Sequence, residues 1–113
     1  MLSNDFNRIR HIFDAANDAV LFIKGKTRED LNSDKLLVYG LVKALEIIGE
    51  AAGNISTQTQ NKYAEIPWRD MADMRNFLVH EYFGINHDII WQTLMTDLPQ
   101  LIENLNKILT KSS

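Results

Sequence analysis

Within Arg75-Asn76-Phe77-Leu78-Val79-His80-Glu81-Tyr82, a permanent cation, a carboxamide, an imidazole and a phenol follow one another over about two turns of helix. These groups suffice to cleave a phosphodiester without a metal. An imidazole that titrates near neutrality can take the proton from a ribose 2'-hydroxyl, and a guanidinium can stabilise the charge that develops on the phosphorane. Asn76 can hold a phosphate oxygen or orient His80 one turn on, while Tyr82 can donate to a phosphate or stack on a base. The nucleophile belongs to the substrate, so DNA, which lacks it, is excluded. Spacing alone is weaker than the chemistry. An Arg, a His and a Tyr also arise on amphipathic helices where the Arg sits in a surface ion pair and the Tyr is packed with its hydroxyl in water.

Geometry adds a condition. On a straight helix Arg75, Val79 and Tyr82 share one stripe and Asn76 and His80 the neighbouring one, with Arg75 and His80 about 140° and about 7.5 Å of rise apart. One helix does not easily aim both at a single phosphate. Either the helix deforms, or two copies meet about a two-fold axis and line one cleft with both sets of residues.

The elements that must position these residues read as helices throughout. Phe6, Ile9, Phe13, Ala16, Val20 and Ile23 recur every three or four residues, which predicts a helix from about Asn4 until Gly25 can turn left-handed. Thr27-Arg28-Glu29-Asp30 reads as a capped turn, and Ser33 with Asp34 as the cap of a second long helix with Leu37, Leu41, Ala44, Ile48 and Ala51 inside and Gly53 as terminator. Gly40 and Gly49 within it are costly, which predicts a close backbone approach at each. After a polar turn at Ser56–Gln60 and a short helix to Tyr63, a third long helix runs from Pro67 to Phe83, ended by Gly84. Asn86 caps the last, whose stripe is Ile90, Leu94, Leu98, Leu101, Leu105 and Ile108; Pro99 lies inside it and predicts a kink or break near Leu98. The fold class is therefore all-α: an antiparallel bundle of four long helices plus short helical turns, with residues 1–113 as a single domain.

Composition narrows the function. No cysteine occurs, which excludes thiolate zinc sites, thiol nucleophiles and disulfides. His11 and His87 have no second ligand at a metal-binding spacing, and Glu46 and Glu50, one turn apart, read as a solvated face, so no metal and no cofactor is expected. The amino terminus lacks a signal-peptide pattern and no stretch is long enough to span a membrane, so the expected location is the cytoplasm. A net charge of −3 gives no basic footprint for RNA, although Arg8, Arg10, Lys24, Lys26 and Arg28 could converge with Arg75 on folding or dimerisation. Taken singly, each of those five reads as an ordinary solvated charge. Trp68 and Trp91 are expected to anchor a core or interface.

The run from Pro67 to Ile85, with its R-x4-H-x-Y pattern at Arg75, His80 and Tyr82, resembles the HepT-like branch of the HEPN superfamily, as does Leu45-Glu46-Ile47-Ile48-Gly49-Glu50-Ala51. The likeness extends from about Ser33 to Leu101. It implies a HEPN-like homodimer with a composite cleft and a metal-independent RNA endonuclease, the toxin of a type VII-like toxin-antitoxin pair. It further implies a minimal nucleotidyltransferase antitoxin that transfers AMP from ATP to Tyr82. An adenylyl group there would bring negative charge beside Arg75 and fill the cleft. Two rival readings remain open: a nontoxic nucleotide-binding or substrate-positioning partner of a nucleotidyltransferase, and a purely structural bundle.

Overall fold

The computed structural model describes residues 2–79 and 86–112, and for 75–79 and 112 the backbone. Among these residues every regular element is a helix. The long helix α1 (Ser3–Phe22) is followed by a turn in which Gly25 takes φ +77°, the left-handed conformation its sequence position predicted. The short helix α2 (Asp30–Ser33) opens with the Asp30 carboxylate accepting the Thr27 N–H at 2.7 Å. Asp34 caps α3 (Lys35–Gly53), its Oδ1 accepting the Leu37 N–H at 3.0 Å.

The helix α4 (Thr57–Lys62) is capped by Ser56 and precedes α5 (Trp68–Val79). The predicted end of this helix, Phe83 and Gly84, lies outside the described residues. Asn86 caps α6 (His87–Gln92) through the Ile89 N–H at 3.1 Å, and a π turn (Thr93–Asp97) leads without interruption into α7 (Leu98–Ser112).

α1 and α3 run antiparallel. The Phe22 ring at the end of α1 lies against Gly40 near the start of α3, while Asp5 at the start of α1 reaches Ser56 just past the end of α3. α5 packs along α3, Ala72 meeting Gly53, and α7 packs on α1. One contiguous core results, with Ile9, Ile12, Leu41, Leu45, Ile90, Leu94 and Leu105 at its centre. The predicted stripes of α3 and of the last helix are all buried. In α1 the buried face is turned slightly from the predicted stripe: Ile9 and Ala16 of that stripe are buried, Ile12, Ala15 and Ala19 join them, and Phe6, Phe13, Val20 and Ile23 pack at the margin. Small alanines let α3 and α7 approach that face closely, which moves the bulkier aromatics to the edge.

Two expectations are corrected in detail. Of the kink or break expected near Leu98, the break does not occur, and the irregularity found there is a π turn. Leu98 N–H bonds the Thr93 carbonyl five residues back, so the chain widens into a π turn ahead of the proline, giving its ring room where an α-helical turn would clash. Gly40 is not forced by crowding, since a Cβ there would meet the Phe22 ring at 3.5 Å, an ordinary contact. Among the described residues no helix is long and apolar enough to cross a membrane.

Candidate active site

The helix that carries Arg75 and Asn76 is fixed firmly at its beginning. Pro67 stands one position before α5 rather than inside its first turn, and its carbonyl accepts the Met71 N–H at 3.0 Å. Trp68 is 5% exposed and its indole N–H donates to the Tyr63 carbonyl at 3.0 Å, so the ring serves as a core anchor. Met71 is buried and Met74 half-buried, while Arg69, Asp70 and Asp73 point to solvent. This is the apolar period of a helix with one face on α3.

The backbone of α5 places Arg75 and Asn76 four and five residues beyond Met71, within its last two turns. His80 and Tyr82 lie outside the described residues, as do any distances from them to Arg75. The structure thus fixes the scaffold of one half of the motif.

The five other cations do not form a basic track in one chain. Arg8 lies 3.9 Å from Asp5, Lys26 lies 3.9 Å from Asp34, and Arg28 donates from Nε to Asp88 at 2.7 Å and from Nη1 to Asn32 at 3.0 Å. Arg8 borders a pocket with Ala51 and Asn54 at one end of α3, whereas the pairs of Lys26 and Arg28 sit by its start, about 28 Å away along the helix. The simpler reading took these three as ordinary solvated charges, and each instead lies beside a carboxylate. Arg10 and Lys24 are exposed.

Of the histidines, His11 is exposed beside Arg8, Glu50 and Asn54, and His87 opens α6 with Nδ1 3.4 Å from the Asn32 Oδ1. Trp91 is half-buried against the core.

One residue that no sequence pattern singles out dominates the polar interior. Asp5 is 1% exposed and accepts three hydrogen bonds, from the Ser56 N–H (3.1 Å), the Ser56 hydroxyl (2.5 Å) and the Thr59 hydroxyl (2.6 Å). Burial by itself would raise its pKa, but these bonds and the Arg8 guanidinium outweigh burial and hold the carboxyl below its ordinary value of 3.8. Ser56 meanwhile caps α4 by accepting the Thr59 N–H. The knot fastens α1 to the start of α4 and so sets where the chain turns toward α5. Its signal, an acid in a first helical turn and a Ser-x-x-Thr fifty residues on, is local at both ends and shows no pairing.

Comparison with known proteins bears on the chain as a whole. A family model described as ribonuclease HepT-like matches residues 12–108, a span that contains the whole Arg75 to Tyr82 stretch. A protein of Caldanaerobacter subterraneus subsp. tengcongensis named "Putative RNase TTE0752" is 38% identical over 103 residues, covering 91% of this chain and 92% of that protein. "Probable ribonuclease HepT" of Thermococcus cleftensis is 40% identical over 95 residues, covering 80% and 86%. "Putative RNase MJ1380" of Methanocaldococcus jannaschii is 36% identical over 90 residues, covering 80% and 83%. No solved structure matches the chain.

Proposed function

Because the chain belongs to the HepT-like ribonuclease family of the HEPN superfamily, we propose that it is a metal-independent RNA endonuclease whose site is completed by a second copy of itself. The observation that carries this reading is the family match across residues 12–108, within which Arg75, His80 and Tyr82 stand at the motif spacing. His80 takes the proton of a ribose 2'-hydroxyl, and the freed oxygen attacks the adjacent phosphorus. The bond to the 5'-oxygen breaks and that oxygen is protonated, leaving a 2',3'-cyclic phosphate and a 5'-hydroxyl. Arg75 stabilises the phosphorane charge and Asn76 holds a phosphate oxygen or orients His80.

The fold proposed for this activity is a four-helix HEPN bundle paired about a two-fold axis. Pairing is one of the two ways to meet the geometric condition set by the motif, since a straight helix does not easily aim Arg75 and His80 at one phosphate. In the cell the chain acts as the toxin of a type VII-like pair in the cytoplasm, neutralised when a minimal nucleotidyltransferase transfers AMP to Tyr82.

Expression of the wild-type chain should arrest growth, and expression of His80→Ala should not. Purified protein should cleave RNA in EDTA, leave cyclic phosphate ends and spare a substrate with a single 2'-deoxy substitution at the cut. Cleavage that requires added magnesium overturns the mechanism. Intact mass after co-expression with the nucleotidyltransferase tests the switch: one or more adenylyl groups on wild type, none on Tyr82→Phe.

The nontoxic reading, a helical partner that positions a substrate or nucleotide for a nucleotidyltransferase, is favoured by one observation. With Arg8, Lys26 and Arg28 each beside a carboxylate and a net charge of −3, the described surface offers RNA little attraction. A wild-type chain that dimerises, accepts AMP and leaves growth unchanged would select it.

A further inference from the structure

A groove of about 470 Å³ opens between the first half of α5, the middle of α3 and the π turn with the start of α7. Its volume lies within the range, about 300–1,000 Å³, of clefts that hold a ligand. The floor is apolar, formed by Ile48, Met71, Met74 and Leu98. The two thioethers make it adaptable to more than one side-chain shape.

The rim is acidic from both banks. Glu65 and Asp70 stand at the α5 side and Asp97, the last residue of the π turn, stands opposite. All three are exposed, and among the described residues none is in an ion pair and no lysine or arginine lines the groove. The widened turn that accommodates Pro99 is what carries Asp97 and its neighbour Thr96 to this wall. A second groove, of about 610 Å³, lies between the end of α1 and α6 with the π turn and is also apolar, with Leu21, Trp91 and Met95, but its charges are Lys24 and Lys26. The two clefts thus carry opposite signs.

An apolar slot whose charged lining, among the described residues, is Glu65, Asp70 and Asp97 favours an apolar anchor flanked by cations. We propose that the groove between α5 and the π turn docks a basic amphipathic segment of a protein partner, with aliphatic side chains on Met71 and Met74 and lysines or arginines against Glu65, Asp70 and Asp97. The proposal does not rest on the ribonuclease reading.

Methionine-methyl NMR tests it on the intact chain, because Met71 and Met74 report on the acidic groove and Met95 on the basic one. The probes are an amphipathic helical peptide of leucine and lysine, and its counterpart with glutamate in place of lysine. The lysine peptide should shift Met71 and Met74 saturably and leave Met95 in place, and the glutamate peptide should shift neither Met71 nor Met74. Asp70→Asn with Asp97→Asn should weaken the lysine peptide by about tenfold, whereas Asp14→Asn with Asp18→Asn, exposed acids on α1, should change it by less than about twofold. All four substitutions fall on solvent-facing positions, so the folded spectrum is retained. Equal shifts from both peptides, a response centred on Met95, or undiminished binding by the Asp70 and Asp97 variant each overturn the proposal. So does a response centred on Met71 to an RNA oligonucleotide, or a Met71 and Met74 response to the concentration of the chain alone, which would make the groove a nucleic-acid or self-association surface. No cleavage is measured, so the peptide outcomes are independent of whether His80 acts as a base.

Discussion

Asp5 shows how one side chain can govern more of a molecule than its position suggests. Its carboxylate, itself buried, is the shared acceptor for a backbone N–H and two hydroxyls. Asp5→Ala should therefore lower the unfolding free energy by about 2–4 kcal/mol, measured by urea denaturation, since hydrogen bonds to a charged group are worth about 1.5–3 kcal/mol each and are not additive. The pH dependence has a definite sign. The folded carboxyl titrates below 3.8, so its stabilising effect is complete above the unfolded value and is lost as pH falls through the lower folded one. Asp5→Asn should accordingly show a flatter stability profile than wild type below about pH 4. Arg75 differs in kind: in the proposed cleft Arg75→Ala should remove most RNA cleavage, about a hundredfold or more, with the thermal midpoint little changed. A loss of folding equal to the loss of activity would instead assign Arg75 to the core.

At the level of elements, caps and periods were legible because they act within one turn of chain. Asp34, Asn86 and Gly25 do what their residue types predict, and the last helix buries each position of its expected stripe. Features decided between elements were not legible. The rotation of α1 follows from how α3 and α7 press on it, and the π turn follows from a proline that the surrounding core keeps inside a continuous helix. Of the site, residue types and spacing were readable, and the structure adds the anchoring of α5 through Trp68 and Met71. The relation of Arg75 to His80 depends on residues beyond α5 and, in the proposal, on a second chain. Two substitutions test the local account. Gly40→Ala should stabilise by about 0.5–1 kcal/mol, because the added methyl fits against Phe22 and alanine favours helix. Asp34→Ala should cost about 1 kcal/mol through loss of the α3 cap.

For the whole molecule, the composite site proposed above requires association. Sedimentation at micromolar concentration should give a dimer, and a monomer there would remove the basis for a shared cleft. The distribution of polar links also has a kinetic side. The turn at Gly25 joins α1 to α3 at one end, while Asp5 ties Ser56 and Thr59 at the other, 51 and 54 residues away in sequence. Contacts at the open end of a helical hairpin close a longer loop than those beside its turn and gain their energy only after the loop entropy has been lost. The Asp5 knot should therefore form after the barrier in folding and break before it in unfolding. Asp5→Ala should steepen neither chevron arm, leave the folding rate nearly unchanged and speed unfolding by most of the equilibrium loss. The persistence of the folded chain, rather than the speed with which it forms, would then rest on a single buried carboxylate.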